Sequence, residues 1–428
     1  MKRSLSVIFS ILAGIIAAFS QTGVWTGDLD VQGMKLPLVF HFDDDNPTID
    51  SPAQAVKGVP MQFTRIAPDS ISVNIAAIGA SYGGKLENDR ITGTFTQRGM
   101  SFPLMLVAGE RISQRPQTPK PPYPYKQENV SFTNGDAALQ GTLTLPEGFS
   151  RETPVLIMIT GSGLQNRDEE FFEHKPFAVI ADALARNGIA SLRYDDRGFG
   201  ESTGDVVNCT TEDLMNDALS GIDLLRERFN HVGVLGHSEG GTIGLMLGRA
   251  GKVDFIVSLA GMVVSGKETL LDQNRYSLKQ AGYPQQVSDE YCRLLSLAFD
   301  GDESIAGKLE AADLPAELKQ NMQAGLLQLK TPYMQYFLSL DMRPELGKIA
   351  CPVLALNGKK DTQVFYNPNL NALNDGLPSN SRNKTIALDG LNHLFQHCAT
   401  GSTNEYATIE ETVSPEVLEI ICNWIKSL

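Results

Sequence analysis

Cysteine is rare in this chain, and its spacing excludes the common cysteine-rich sites. Only five cysteines occur among 428 residues, and none belongs to the close CxxC pair typical of zinc and redox motifs. Because their number is odd, they cannot all pair within one chain. The pairing stays open at this point, with Cys398 and Cys422 as one candidate pair. The sequence therefore points to no cysteine-held metal centre.

Basic residues are also scarce. The sequence has 36 lysines and arginines against 50 aspartates and glutamates, a formal net charge of -14 at pH 7. Nucleic-acid binding needs clustered basic residues that contact phosphates, and no such cluster appears, so we expect no nucleic-acid partner. The share of hydrophobic residues, 42%, is that of an ordinary globular protein. The length favours two or three domains.

Long apolar runs are absent beyond the N-terminus. The one long run, from Leu5 to Ala18, follows Lys2 and Arg3 and ends at the small residues before Gln21. This order is typical of a secretory signal peptide, here residues 1–20. The run is shorter than the roughly 20 residues of a membrane-spanning helix, so an uncleaved anchor is the less favoured alternative. We expect export to a bacterial periplasm or extracellular space, with no membrane contact after cleavage.

The next part of the chain, residues 21–110, has the pattern of an all-β domain. Short stretches such as VWTGDLDV, KLPLVFHF and SISVNIAA are rich in β-branched and aromatic residues, with Gly, Pro, Asn and Asp between them. A segment with five prolines, residues 111–126, follows. Proline at this density favours an extended linker. The sequence therefore predicts a domain boundary here.

Strand and helix patterns alternate from residue 127 to residue 428. Continuous apolar runs such as PVLIMIT are typical of buried parallel strands, and amphipathic stretches such as TEDLMNDALSGIDLLRERF are typical of helices. This alternation predicts an α/β fold with a mostly parallel sheet and helices on both faces. Between about residues 262 and 347 no buried strand pattern appears, and helical patterns there predict a cap inserted into the domain.

One pentapeptide, Gly236-His237-Ser238-Glu239-Gly240, joins an apolar strand pattern to a helix pattern. G-x-S-x-G in this context is typical of a nucleophile elbow, a tight turn that lifts a serine above the end of a sheet. Side chains at Gly236 and Gly240 would collide with the neighbouring strand and helix. The motif therefore predicts Ser238 as a nucleophile. His237, although adjacent, is expected to fill space beneath the turn.

A serine nucleophile needs a base. In chains with this elbow the order along the sequence is serine, acid, histidine. Of the six histidines, only His393 and His397 follow Ser238. His393 lies in a loop directly after an apolar strand pattern, at the end of the sheet where the base should lie. We therefore predict His393 as the base, with His397 as a lid or surface residue.

The acid that orients this histidine has three candidates. Asp361 lies in a loop directly after the strand pattern VLALN. Asp341 precedes that strand and so lies at the wrong end of the sheet. Asp389 lies in the same loop as His393. We favour Asp361, with Asp389 as the competitor.

The charge that forms on a substrate oxygen needs N–H donors. The first amides of the helix after the elbow, that of Glu239 included, point toward this charge. The loop after the first central strand offers a second donor, and the amide of Ser162 is the first choice there. The second choice is one of the next two amides, those of Gly163 and Leu164. In the same loop, the neighbours Arg167 and Asp168 are expected to form an ion pair.

Five motifs after the linker resemble those of α/β-hydrolases: GSGLQNRDEE, RYDDRGFGES, GHSEGG, NGKKDTQV and GLNHLFQ. Over residues 128–428 the chain resembles a bacterial exported esterase branch of that superfamily, close to the dienelactone-hydrolase-like and serine-aminopeptidase-like groups. Members of this branch can carry an N-terminal β domain. The resemblance implies a triad of Ser238, Asp361 and His393, and it is weak over residues 262–347.

Together these patterns predict a serine hydrolase that cleaves carboxylic esters of short acyl groups through an acyl-enzyme. Its partner would be a small-molecule ester, with an acylated carbohydrate as a candidate from the expected location. The chemistry needs no metal and no cofactor. The alternatives are a peptidase or amidase with the same triad, and a non-catalytic binding protein on this fold. For the N-terminal domain, substrate binding, shielding of the site and formation of a homodimer all stay open.

Overall fold

The computed structural model describes residues 22–31, 34–54, 56–87, 89–110 and 115–428. The expected signal peptide, residues 1–20, lies outside these residues and stays a prediction. The chain divides into two compact units, residues 1–112 and 113–428. Within the described ranges, no helix is long and apolar enough to cross a membrane.

As far as it is described, the first unit is an antiparallel sheet of nine strands. In chain order the strands are β1 (Gly23–Val31), β2 (Met34–Phe42), β3 (Thr48–Ser51), β4 (Val56–Pro60), β5 (Gln62–Ala67), β6 (Ser70–Ile75), β7 (Ala80–Glu87), β8 (Arg90–Gln97) and β9 (Met100–Ala108). Their order in the sheet is β4-β3-β2-β1-β9-β8-β7-β6-β5. Arg98 and Gly99, with φ values of 50° and 81°, form the two-residue turn between β8 and β9. Positive φ at both positions suits the twist of a hairpin.

Alternate residues of several of these strands are buried, as expected for a sheet with one covered face. In β6, for example, Ile71, Val73 and Ile75 are buried and their neighbours are more exposed. Aromatic rings complete the core, and the ring centroids of Phe40 and Tyr82 lie 5.5 Å apart. The predicted all-β fold of this part of the chain is confirmed.

The second unit is built on an eight-stranded sheet. Its strands are β10 (Lys126–Asn134), β11 (Ala137–Leu145), β12 (Val155–Ile159), β13 (Ala190–Tyr194), β14 (Val232–His237), β15 (Ile256–Leu259), β16 (Val353–Gly358) and β17 (Lys384–Leu388). They are ordered β10-β11-β13-β12-β14-β15-β16-β17. β10, β11 and β13 pair antiparallel, and all the pairs from β13 to β17 are parallel.

Helices cover both faces of this sheet. On one face lie α1 (Pro176–Arg186) and α10 (Pro415–Lys426). On the other lie α2 (Thr211–Arg226), α3 (Glu239–Arg249) and α9 (Tyr366–Gly376). Because both faces are covered, every residue of β12 and β14 is buried, which explains their continuous apolar sequences. The predicted α/β fold is confirmed.

The insertion between β15 and β16 is helical, as predicted. It contains α4 (Gly266–Gln280), α5 (Gln285–Phe299), α6 (Ile305–Ala311), α7 (Ala316–Gln328) and α8 (Pro332–Ser339). Helices α4 to α7 share a small apolar core of their own, which includes Leu278, Leu294, Leu309 and Met322. The insertion, hereafter the cap, is therefore a packed structure and not a long loop.

All five cysteines are free thiols in the structure. The candidate disulfide between Cys398 and Cys422 is therefore not formed. The Cys398 thiol contacts the backbone oxygen of Gly390, and the Cys422 thiol contacts that of Ala183. Burial raises the pKa of both thiols, which keeps them protonated and poorly nucleophilic at neutral pH.

Part of the proline-rich segment packs against the rest of the second unit. The guanidinium of Arg115 is 7% exposed and donates hydrogen bonds to the backbone oxygens of Phe172, Ala407 and Ile409. The side chain of Gln117 exchanges hydrogen bonds with the backbone of Val413. Three carbonyls from two distant segments thus depend on one cation. The bounds of the predicted linker and domains stay predictions.

We expect Arg115→Met to lower the free energy of unfolding by about 2–4 kcal/mol, because one buried and two partly buried carbonyls lose a charged donor. Urea unfolding followed by circular dichroism measures this change. Lys120→Met, at an exposed position of the same segment, is the matched control and should leave the midpoint unchanged. Equal midpoints for both variants would contradict the prediction.

Candidate active site

Ser238 occupies a strained turn between β14 and α3. Its φ and ψ are 54° and -119°, a region that residues other than glycine rarely adopt. The backbone amide of Ser238 donates a 2.8 Å hydrogen bond to the oxygen of Leu259 at the end of β15. Unlike the residues on either side, Ser238 is partly exposed. The turn thus presents a hydroxyl at the carboxyl edge of the parallel strands.

Two glycines make this turn sterically feasible. A Cβ atom at Gly236 would lie 1.9 Å from the backbone oxygen of Gly240, and one at Gly240 would lie 2.1 Å from that of Ile159. Either contact is far closer than atoms can approach. The G-x-S-x-G pattern therefore reflects close packing of α3 against the strand ends.

Asp361 and His393 are brought together at the same edge. Nδ1 of His393 lies 2.7 Å from Oδ2 of Asp361, and the two residues are 5% and 2% exposed. The carboxylate is held by three further donors, the amides of Gln363 and Val364 and the side-chain nitrogen of Asn357. The orientation of Asp361, and through it that of His393, is therefore fixed.

The competing candidates have other partners. Asp389 is 87% exposed and pairs with Lys359, whereas Asp341 pairs with Arg343. His397 is 62% exposed and contacts Glu411.

His237, which directly precedes Ser238, also lies beside His393. The ring centroids of His237 and His393 lie 4.7 Å apart, and Nε2 of His237 lies 3.0 Å from the backbone oxygen of His393. Ser238, Asp361 and His393 follow the ends of β14, β16 and β17, which are parallel strands. The three residues therefore lie at the same edge of the sheet.

His237 has a larger role than the space-filling one expected from the sequence. Its Nδ1 lies 2.8 Å from Oε1 of Glu169, and the same oxygen accepts a 2.8 Å hydrogen bond from the amide of Gly161. Burial lowers the pKa of His237, but the charge and hydrogen bond of Glu169 outweigh it and raise the pKa overall. An imidazolium with two donors fits both contacts. His237 and Glu169 thus join the elbow, the loop after β12 and the loop of His393.

The loop after β12 contains the candidates for the second oxyanion donor. Gly161 is buried against the elbow, and a Cβ atom there would lie 3.2 Å from Cβ of Ser238. Ser162, Gly163 and Leu164 follow and are exposed. Ser162, the first choice, is therefore the first exposed residue of the loop beside the nucleophile.

Glu239, the other expected oxyanion residue, has a buried carboxylate. Oε1 accepts a 2.6 Å hydrogen bond from the hydroxyl of Thr211, and Oε2 accepts one of 2.5 Å from the hydroxyl of Tyr333 in the cap. The backbone amide of Glu239 begins α3, where the helix dipole favours negative charge. Sequence reasoning missed Tyr333, because its partner lies 94 positions away and no local pattern links the two.

The expected ion pair between Arg167 and Asp168 is not formed. Arg167 binds the carboxylate of Asp195 through two guanidinium nitrogens, and Asp168 pairs with Arg193. Adjacent side chains in this loop point in different directions, so each finds its partner on or after β13. The loop is still held by ion pairs, but their partners lie on and directly after β13.

Asp196 anchors the same loop from below. Its carboxyl group contacts the hydroxyl of Thr160 and the amide of Gln165. Burial raises the pKa of Asp196 to about 8, despite these hydrogen bonds. The group therefore stays mostly protonated in the folded protein at neutral pH.

Three comparisons with known proteins bear on this site. Residues 173–298 match the family described as serine aminopeptidase, S33, a range that contains Ser238 but neither Asp361 nor His393. Esterase EstD of Thermotoga maritima is 26% identical over 306 residues, which are 71% of this chain and 68% of that protein.

Solved structures are also similar. A proline iminopeptidase of Mycobacterium smegmatis is 15% identical, with a TM-score of 0.45 and coverage of 70% of this chain and 98% of that one. An esterase of Pyrococcus furiosus is 14% identical, with a TM-score of 0.44 and coverage of 75% and 95%.

The strand order and the strained serine turn are those of an α/β-hydrolase fold. The match to the serine aminopeptidase family and the similarity to Esterase EstD support a hydrolase of the esterase type on this fold. The resemblance to α/β-hydrolase esterases expected from the sequence motifs is thereby confirmed, whereas export stays a prediction.

The raised pKa of Asp196 predicts a pH dependence of stability. An unfolded aspartate ionises near pH 4, so between about pH 4 and pH 8 the folded state binds the extra proton. The free energy of unfolding should therefore fall as pH rises through this range. Asp196→Asn removes the titrating group and should flatten the profile, as measured by urea unfolding across the range. Asp223→Asn, at an exposed position, should keep the wild-type slope, and the same slope in Asp196→Asn would refute this assignment.

Proposed function

We propose that this protein is a serine carboxylesterase that cleaves esters of short acyl groups through an acyl-enzyme on Ser238. The observation that carries the proposal is the buried 2.7 Å contact of His393 with Asp361, at the same sheet edge as the strained turn of Ser238. A base that is oriented by an acid is what a serine hydroxyl needs to act as a nucleophile.

The proton transfers follow from the two nitrogens of His393. Nδ1 is engaged by Asp361, so Nε2 takes the proton of Ser238 as its oxygen attacks the ester carbonyl. His393 then returns this proton to the leaving alcohol, and the acyl group stays on Ser238. A water molecule repeats the attack in the second half, which releases the acid. Asp361 stabilises the imidazolium that forms in each half.

The oxyanion of each tetrahedral intermediate would be bound by two backbone amides, those of Glu239 and Ser162. The position of Glu239 at the first residue of α3 supports the first assignment. The second rests on the exposure of Ser162 directly after Gly161, which packs against Ser238. Gly163 and Leu164 remain the second choice.

The proposed preference for short acyl groups is supported by the cap. The side chain of Tyr333 reaches the carboxylate of Glu239 beside the nucleophile, so a cap residue already fills part of the space around the expected oxyanion hole. Bulky acyl groups would need this side chain to move.

We expect Ser238→Ala to lower kcat/KM by about 10⁴-fold or more, because the attacking atom is lost. Hydrolysis of p-nitrophenyl butyrate measures this loss, and labelling by a fluorophosphonate probe should disappear with it. Ser220→Ala, on the outer part of α2, should keep both activity and labelling. A fully active Ser238→Ala enzyme would exclude the proposed nucleophile, and a wild-type protein that neither turns over nor labels would favour a binding protein.

A peptidase or amidase with the same triad is the second candidate, and the match to the serine aminopeptidase family favours it. Ester and amide cleavage share the nucleophile, so the substrate panel must separate them. We expect kcat/KM for p-nitrophenyl acetate and butyrate to exceed that for aminoacyl p-nitroanilides by at least about 100-fold. Ser238→Ala serves as the blank for both substrate classes. A preference for the anilides would replace the esterase with the peptidase.

A further inference from the structure

One cap residue lies beside both residues of the expected oxyanion hole. Tyr333 lies in the first turn of α8, and its hydroxyl lies 2.5 Å from Oε2 of Glu239. Burial and Glu239 raise the pKa of Tyr333, and the nearby side chain of Ser162 lowers it by a smaller amount. Glu239 and Ser162 are the residues whose amides are the two expected oxyanion donors.

The protons along this chain of contacts can be assigned. Burial, the largest effect, holds the pKa of the Tyr333 phenol well above its usual range, so the phenol keeps its proton and donates it to Glu239. The hydroxyl of Thr211 donates to the other oxygen of the same carboxylate. The remaining hydroxyl, on Ser162, can then donate to the phenol oxygen. Each of these hydroxyls thus donates its one proton to another group in this series of contacts.

Helix α8 is itself held in place by two neighbours. The amide of Gly266 at the start of α4 donates a 3.0 Å hydrogen bond to the oxygen of Leu340. A Cβ atom at Gly266 would lie 2.2 Å from the backbone oxygen of Phe337, so the two helices touch. Tyr336, on the next turn, packs against the apolar core beneath α2. The hydroxyl of Tyr333 therefore belongs to a helix whose position is fixed by its neighbours.

We propose that Tyr333 is a positioning residue that holds the Ser162 loop and the Glu239 end of α3 at the separation needed to bind the oxyanion. The inference rests on the proposed esterase function. It makes the cap part of the catalytic apparatus, because the two amides come from different loops of the sheet and the side chain of Tyr333 binds Glu239 and lies beside Ser162.

Tyr333→Phe tests the inference, since it removes the hydroxyl and keeps the ring that stacks near Phe337. We expect kcat for p-nitrophenyl butyrate to fall by roughly tenfold to 100-fold with KM changed less than about twofold, since an oxyanion contact acts on the transition state. Affinity for a boronic acid, which forms a tetrahedral adduct on the serine, should fall by a similar factor. If Tyr333 acted through packing alone, its loss would not lower kcat and boronate affinity selectively while KM stayed nearly constant.

Tyr336→Phe is the matched control, because it makes the same change one turn along the same helix. It should retain wild-type kcat and boronate affinity. Ser162→Ala keeps the backbone amide and removes the other hydroxyl, and it serves if Tyr333→Phe fails to fold. We expect a smaller loss of kcat from it, and we expect Ser162→Ala combined with Tyr333→Phe to lose little beyond Tyr333→Phe, because both remove one contact.

The outcomes separate this inference from the function on which it rests. Suppose that the wild-type protein is active and that Tyr333→Phe has the same kcat and boronate affinity as Tyr336→Phe. This result would overturn the role of Tyr333 and leave the proposed esterase function intact. Additive losses in the double variant would also overturn it, since the two hydroxyls would then act independently. A wild-type protein without esterase activity would refute the proposed function and this inference together.

Discussion

The close packing of α3 against the ends of β12 and β14 is the constraint on which the site depends. At Gly236 and Gly240 the backbones approach so closely that a single methyl group would overlap a carbonyl oxygen. This approach forces the positive φ of Ser238 and places the start of α3 directly beneath the reacting atoms. The cost of the strained turn, of the order of 1–3 kcal/mol, is offset by the buried strands and helices around it.

Buried acids organise the loops around this turn, and each is satisfied in a different way. Glu169 is paired with the imidazole of His237, Glu239 is held by two hydroxyls, and Asp196 keeps its proton. An unpaired buried charge would cost several kcal/mol, so these arrangements limit how the loops can move. The acid of the expected triad, Asp361, adds a fourth solution, with backbone amides and Asn357 as donors.

The sequence predicted most of the fold and the main site candidates, because these depend on local patterns. The turn at Ser238 needs glycines at fixed spacing, and Asp361 and His393 each directly follow an apolar strand. The contacts that tie the site together have no such local signal. Glu169 and Tyr333 meet His237 and Glu239 across 68 and 94 positions, and their partners are fixed only once the sheet has formed. The predicted pairing of Arg167 with Asp168 was wrong for the same reason. The partner of Arg167, Asp195, directly follows β13 and is not adjacent to Arg167 in sequence.

The cation of Arg115 has a consequence for how this hydrolase could be recombined with other domains. Its hydrogen bonds reach carbonyls in two distant parts of the second unit, at Phe172 before α1 and at Ala407 and Ile409 before α10. A module cut at the first strand, β10, would leave those carbonyls without their donor. The smallest portable unit therefore begins at or before Arg115, inside the proline-rich segment, and a fusion or gene shuffling event that preserves stability has to carry this arginine with the enzyme.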